Sequence, residues 1–320
     1  MGIKCRICVL TDAKSVKFWR EIDNDAEVIT SQYTFQNIFY RTKLIRRAKA
    51  MSCQVMYVRD AFPMWLRAKQ SKIVVEFQSL ISEELRERSF LKYITFLLFS
   101  QFTYWNIDGA VYITNELKSR NEMKLSNNIP SIQISNGIDL SVRRALPVSK
   151  LDRPAVFFIG HPNQYWQGVE EIESLAVQLP TIDFHIVGYD GESSARNIFF
   201  HGVLSEERYF AIARDCVAAV GPMRIDLKGI SEAAPLKVRE YLALGLPVII
   251  NYHDVDLLGD LDFVLEIDVV SHSKSEMNDK VLGFVDYWRG KRVQREQVQF
   301  LSTEYSETKR LNFLRELMRD

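Results

Sequence analysis

Short β-rich runs alternate with helical stretches along this chain, and the alternation occurs twice. That is the pattern of a parallel sheet wrapped by helices. The first set of runs comprises Arg6–Thr11, Glu27–Ser31, Val55–Arg59, Lys72–Phe77, Gly109–Thr114 and Ser131–Ser135. The second comprises Ala155–Gly160, Asp183–Tyr189, Ile198–Gly202, Val217–Pro222 and Pro247–Ile250. Between them Ser135-Asn-Gly-Ile-Asp139 supplies a turn, and Pro147 and Pro154 discourage regular structure up to the second set. At 320 residues the chain exceeds what one core usually supports. The expected fold class is therefore α/β, with two doubly wound Rossmann-like domains, residues 1–140 and 141–303. Ligands are expected at the carboxyl ends of the strands. The terminal segment Glu304–Met318 reads as a further helix.

The densest local signal is Glu232-Ala-Ala-Pro-Leu-Lys-Val-Arg-Glu240, followed at once by Tyr-Leu-Ala-Leu-Gly-Leu-Pro-Val-Ile-Ile. Pro235 suits the first helical position, while Gly245 and Pro247 stop the helix and feed the strand ending at Ile250. The spacing predicts a helix from Pro235 to Leu244. Leu236, Val238, Tyr241, Leu242, Ala243 and Leu244 cover nearly its whole circumference, as in a helix enclosed by protein. Glu240 falls between Leu236 and Leu244, where a carboxylate needs a partner. That partner is either a protein cation or the hydroxyls of a ligand. The plain reading pairs Glu240 with Lys237, one turn away. Glu232 lies on the entering loop. Loop and helix N-terminus together form an anion site, with free N–H groups and the positive end of the dipole.

The two glutamates seven residues apart, with the Glu-Tyr-Leu-Ala-Leu-Gly-Leu-Pro-Val-Ile tail, resemble the retaining GT-B glycosyltransferases of family 4, which use sugar nucleotides. The resemblance implies two Rossmann-like domains facing a cleft, with the last helix, residues 304–320, packing back on the first domain. It also implies that Glu240 holds the ribose hydroxyls and that Glu232 approaches the transferred sugar as the catalytic carboxylate. Ser135-Asn-Gly-Ile-Asp139 is similar to the family's Pro-Asn-Gly-Val-Asp segment at the domain junction. Ala155–Leu175 resembles the opening of its second domain. Gly160 is kept there, but His161 and Gln167 stand at the positions of the Arg and Lys that grip the donor diphosphate. Substitutes are Arg224 and Lys228, on the loop from Gly221 to Gly229, and Lys237, beside Leu236 in the first helical turn. Each also reads as a solvated charge. Phe199–Val203 resembles the segment whose backbone meets the nucleobase, which places Val203 on the donor side. The base is not legible from backbone contacts, and a UDP-sugar is taken ahead of a GDP-sugar.

On the acceptor side, Lys72–Ser79 resembles the family's strand ending in Glu-x-His, with Gln78 in the histidine's place; Arg59 ends the preceding run. Glutamine can donate to a sugar hydroxyl but carries no charge. All five histidines lie in the second half of the chain. Inversion would need a base in the first domain, such as Asp12, Asp60, Glu83 or Glu84. Retention needs none, because the leaving phosphate can assist the acceptor. No metal and no cofactor are expected, since the sugar nucleotide is a substrate and positive protein groups neutralise its diphosphate.

Net charge is zero but uneven: residues 1–140 carry 20 Lys and Arg against 14 Asp and Glu, a net of +6. The basic segment Gln36–Lys49 and the apolar stretch Arg88–Trp105 fit an anionic membrane surface. Plainly read, they are two domain helices, one solvated and one in the core. No N-terminal signal pattern is read, and the run Tyr93–Trp105 is too short to span a bilayer. A cytoplasmic protein, peripheral on the inner face of the membrane, is expected. Cys5 and Cys8 form a CxxC that lacks a second pair, so zinc lacks ligands and both read as core thiols. Nucleic-acid binding has no basic stripe interleaved with aromatics to support it. The expected function is transfer of a sugar from a nucleoside diphosphate to a hydroxyl of a glycan or lipid-linked saccharide. The alternatives are a non-catalytic partner subunit of the same fold and a sugar-nucleotide epimerase.

Overall fold

The computed structural model describes residues 8–11, 27–30, 46–47, 50, 53–59, 71–104, 107–120, 125, 128–149, 151–193, 195–268 and 274–319. Cys5 and most of segment 36–49 lie outside these residues, as do Asp12 and Asp60. Of the basic segment, Arg46 and Arg47 are described and exposed.

In the front half, β1 (Cys8–Thr11) pairs with β2 (Glu27–Thr30), and a four-stranded sheet runs β3 (Val55–Arg59), β4 (Lys72–Phe77), β5 (Gly109–Tyr112), β6 (Ser131–Gln133). The second half builds a six-stranded sheet from β7 (Ala155–Ile159), β8 (Asp183–Val187), β9 (Ile198–Phe200), β10 (Ala218–Val220), β12 (Val248–Ile250) and β14 (Val264–Glu266). A short pair, β11 (Glu232–Ala233) and β13 (His253–Asp254), stands apart. Every one of these pairings is parallel. The helices are α1 (Ile81–Arg88), α2 (Phe90–Tyr104), α3 (Asn115–Arg120), α4 (Val169–Gln178), α5 (Glu206–Asp215), α6 (Leu236–Ala243), α7 (Lys274–Trp288) and α8 (Thr303–Arg319). The edge strand β14 and the two-residue strands β11 and β13 were not read from the sequence.

The order of the large sheet, β14-β12-β10-β7-β8-β9, puts β7 inside and sends later strands outward on both sides. The strand order therefore reverses between β7 and β10, the switch point at which a doubly wound sheet takes its ligands, in the crevice outside the carboxyl ends of the strands. β7 is an unbroken apolar run, Ala-Val-Phe-Phe-Ile, because both faces are covered; Val156, Phe157 and Phe158 are buried. At its carboxyl end the backbones of β7 and β8 nearly touch. Gly188 has φ +90°, and a Cβ there would stand 2.0 Å from the Gly160 carbonyl oxygen. Only glycine fits.

α6 starts one residue later than the sequence suggests, with Pro235 outside the first turn in extended conformation. It stops at Gly245 (φ +83°), whose N–H donates to Leu242 O while Leu246 N–H donates to Tyr241 O. That is a Schellman stop. The enclosure predicted all round the helix fails at its start. Val238, Tyr241 and Leu242 are buried, but Leu236 is 56% exposed at the crevice.

α8 lays Phe313 and Leu317 against Val74, Val111 and Ile134, forming one face of the front sheet's core. The other face packs Ile73, Val75 and Phe77 with Tyr104 and Ile113, and Ala234 and Val255 from the second half join this cluster. Apolar contact thus bridges the two halves.

Candidate functional site

The crevice at the end of β7 is built from three segments. Tyr165–Gln167 forms a short 3-10 turn after β7. The loop after β10 docks on it, with Met223 N–H donating to Gln167 O and Arg224 N–H to Trp166 O. α6 enters from below. Its Val238 and Arg239 N–H groups turn back on Pro235 O, while those of Leu236 and Lys237 have no backbone acceptor among the described residues.

Lys237 fills the centre. Its ammonium donates to the carbonyl of Ile159, the last residue of β7, and to the side-chain oxygen of buried Gln167. It also lies 4.5 Å from the centroid of the Phe158 ring. No carboxylate among the described residues pairs with it. Burial without a counter-ion depresses its pKa from the ordinary lysine value to about 7. The Gln167 position thus supplies no cation itself, but holds one that comes from α6.

The other candidate cations differ. Arg224 is already neutralised twice, with Glu171 at 2.7 Å and Asp226 at 3.0 Å. Those hydrogen bonds hold its guanidinium above the ordinary arginine pKa. Lys228 lies 5.0 Å from the Trp166 ring centroid, beside the crevice, and no carboxylate among the described residues pairs with it. His161 is exposed at the mouth, where its Nδ1 accepts the Asn163 N–H at 3.3 Å. Val203, 86% exposed, follows β9 two strands away at the same sheet end. Gly160 lines the end of β7, where a Cβ would meet the rings of Phe158 and Tyr189 at 2.8–2.9 Å.

Glu240 takes the protein-cation option, but the cation is not Lys237. Arg143, just past the Asn-Gly-Ile-Asp turn, reaches it at 2.9 Å, and the Tyr209 hydroxyl donates at 3.3 Å. Arg143 also pairs with Glu206 at 2.7 Å and sits over the Phe210 ring. Burial raises the Glu240 pKa, against the pull of Arg143 and Tyr209. Glu232 meets the other half of the molecule. Its carboxylate accepts the Glu116 N–H at 2.7 Å, and the Glu116 carboxylate accepts the N–H groups of Ser231 and Glu232 at 2.7 and 2.9 Å.

Gln78 and Arg59 converge on one buried carboxylate, Glu76. Gln78 donates to it at 2.7 Å and Arg59 stands 3.1 Å from it, while Tyr57 donates to its second oxygen. Arg310 of α8 completes the group, 3.0 Å from the Tyr57 hydroxyl and 3.6 Å from Glu76. Burial, then the Glu76 charge, pushes the Tyr57 pKa up. The sequence reading had Glu76 only as the glutamate of the Glu-x-His match, and it missed Glu116, Arg143, Tyr209 and Arg310, whose partners lie far along the chain. It also missed Arg239, fully buried on α6 and paired with Asp254 and Asp256. Its only local trace is a charged residue on an otherwise apolar face.

Two Rossmann-like units, with a 3-2-1-4-5-6 order in the second and a terminal helix returning to the first, define the GT-B fold. Solved structures of that fold superpose over nearly the whole chain. Sucrose-phosphate synthase from Thermosynechococcus elongatus matches at 15% identity with TM-score 0.66, over 93% of this chain and 84% of that one. HepE from Anabaena, solved in complex with UDP and glucose, matches at 13% identity with TM-score 0.67, over 97% and 91%. A glycosyltransferase from Rickettsia africae matches at 12% identity with TM-score 0.64, over 99% and 100%. At these identities the likeness is one of fold. No protein-family model and no curated protein matches the sequence.

Proposed function

We propose that the protein transfers a sugar from a nucleoside diphosphate to a hydroxyl acceptor, with retention and without a metal ion. The observation that carries this is Lys237: a sunken ammonium at the switch point, held by neutral acceptors and open to an anion. A donor diphosphate in the crevice would meet that ammonium, the free N–H groups of α6 and Lys228. Leu236, exposed beside them, offers apolar contact. The ribose would then lie toward Glu240, exchanging its hydroxyls for Arg143, which keeps Glu206 as a second partner. In the transfer, the acceptor oxygen bonds to the anomeric carbon as the bond from that carbon to phosphate oxygen breaks. The electron pair leaves with the diphosphate, which also takes the acceptor's proton, and Glu232 favours the positive charge at the carbon. On this reading residues 141–303 form the donor domain and residues 1–140 the acceptor domain. A UDP-sugar is favoured because HepE, of the same fold, was solved with UDP and with UDP-glucose.

The test is thermal stability against UDP, GDP, ADP and CMP and their common sugar conjugates, with Glu240→Ala beside the wild type. Binding to the native state alone raises stability by about 2.7 kcal/mol at a hundredfold excess over Kd. A shift from one nucleotide family, lost in Glu240→Ala, is expected; anomer-resolved NMR of the product then reads retention. The second reading, a non-catalytic partner of the same fold, draws on His161 and Gln167 at the diphosphate positions and on Arg143 occupying Glu240. It predicts no shift with any nucleotide.

For the acceptor, the supporting feature is α2. Phe90, Leu91, Leu97 and Leu98 project from one side of it, 73%, 76%, 49% and 64% exposed. No helix among the described residues is long and apolar enough to cross a membrane. An exposed apolar stripe in the basic half suits docking on an anionic lipid surface that carries the acceptor. Co-sedimentation with phosphatidylglycerol vesicles at low salt, abolished in Leu91→Glu/Leu98→Glu, is the expected result. Indifference to such vesicles removes this part of the proposal.

A further inference from the structure

Glu232 and Glu116 exchange backbone hydrogen bonds reciprocally across 116 residues of sequence. The local logic is that of a helix start. Thr114 caps α3 by accepting the Leu117 N–H at 3.1 Å, which leaves the Glu116 N–H unsatisfied within its own segment. Glu232 satisfies it at 2.7 Å, and the Glu116 side chain reaches back to the N–H groups that present Glu232. Within one segment this would be a capping box; here its two halves come from opposite sides of the cleft.

Further contacts fix the arrangement. Glu116 accepts the Ser231 hydroxyl at 3.2 Å, and Arg120, one turn along α3, pairs with the Glu116 carboxylate at 2.5 Å and donates to Gly229 O. The Glu116 carboxylate is thus surrounded by donors. Burial raises its pKa, but the N–H groups of Glu232 and Ser231, then Arg120, bring it below the ordinary glutamate value. One oxygen of Glu232 is engaged by the Glu116 N–H, and the other has no partner among the described residues.

We infer that Glu116 is a positioning residue for Glu232: it sets the backbone and carboxylate of that residue from the opposite half, so that catalysis requires the two halves in contact. The inference rests on the transferase reading above. An enzyme built this way presents its carboxylate to the donor sugar only when closed. Sugar nucleotide bound to an open form would be held at α6 without being cleaved.

The experiment measures kcat and KM for nucleoside diphosphate release from UDP-glucose, GDP-mannose and ADP-glucose, in wild type, Glu116→Ala and Glu116→Gln. Melting temperature and hydrogen exchange of the 229–234 amides are read alongside. For the sugar nucleotide that the wild type cleaves, Glu116→Ala is expected to lower kcat at least about tenfold while KM stays within about twofold. Its Ser231 and Glu232 amides should exchange faster, and Glu116→Gln, which keeps one acceptor oxygen in place, should recover part of both. A folded Glu116→Ala protein with kcat within threefold of wild type overturns the positioning role alone. So does a loss shared by kcat, KM and melting temperature that Glu116→Gln does not rescue. A wild type that cleaves none of the three, with water as the acceptor, and whose melting temperature no nucleotide or sugar nucleotide of the panel above shifts ends the transferase reading, and the positioning role with it.

Discussion

Two buried charges on either side of the molecule, Glu76 on the front sheet and Lys237 at the end of β7, are surrounded in opposite ways. On the front sheet, Glu76 is surrounded by Tyr57, Arg59, Gln78 and Arg310, so that charges of both signs satisfy one another. At the end of β7, Lys237 has two neutral oxygens and an aromatic face, with no carboxylate among the described residues. A closed network stabilises what it connects, here α8 against the front sheet. An uncompensated cation costs stability, and in the proposed function a bound diphosphate is what would neutralise it. The sequence could not supply this difference: Gln78, Arg59 and Lys237 all read as site residues, and of the two cations only Lys237 lacks a carboxylate partner among the described residues.

The largest expected effect would break the structural side of this contrast. Glu76→Ala strands Arg310 and the Tyr57 hydroxyl and should cost about 3 kcal/mol in urea unfolding, the range for one partner lost from a buried pair. Its affinity for nucleoside diphosphate should stay at the wild-type level by calorimetry. If affinity fell with stability, the Glu76 group would belong to the binding site after all.

Lys237→Met should show the reverse. Losing a charge-assisted contact of about 1.5–3 kcal/mol weakens nucleoside diphosphate binding by about 10- to 100-fold. The urea midpoint should hold or rise, because a desolvated cation is replaced by an apolar side chain of similar length. A fall in stability with unchanged affinity would make Lys237 a structural residue.

The same lysine sets a pH dependence. Its folded pKa, about 7, lies below the unfolded value of about 10.4. Between these two values the unfolded chain binds more protons, so this group's contribution to stability rises with pH across that window. Binding goes the other way. As pH rises through 7 the ammonium loses its proton, and diphosphate affinity should fall by about tenfold between pH 7 and pH 9. Lys237→Met should flatten that slope.

The smallest effect is expected at Arg224. Because Glu171 and Asp226 already hold it, Arg224→Ala should change diphosphate affinity by less than about threefold, within the range of exposed ion pairs. A loss comparable with that of Lys237→Met would show that Arg224 leaves its carboxylates for the ligand.

Much of the fold was legible because its signals are local. The strand runs in both halves, Gly245 as the end of α6 and the helix at the carboxyl terminus all follow from periodicity and chain-breaking residues within a few positions. The enclosure of α6 was overestimated for a local reason: an apolar pattern marks a face that prefers burial, but whether protein or an open crevice covers Leu236 depends on the neighbouring loops. The Glu240 partner was legible as a requirement and not as an identity. A half-buried carboxylate needs a cation or hydroxyls, yet nothing near it specifies Arg143, 97 positions earlier.

By itself, then, the sequence determined two parallel α/β units, a helix start suited to anions and two carboxylates beside it, since backbone propensity, caps and side-chain period act over a few residues. Only the tertiary structure decided which charges remain open. It paired Arg224 with Glu171, Glu240 with Arg143 and Glu232 with Glu116, and left the Lys237 ammonium among neutral oxygens. Electrostatic pairing follows distance in space, and residues that meet across a cleft leave no trace in the spacing that separates them along the chain.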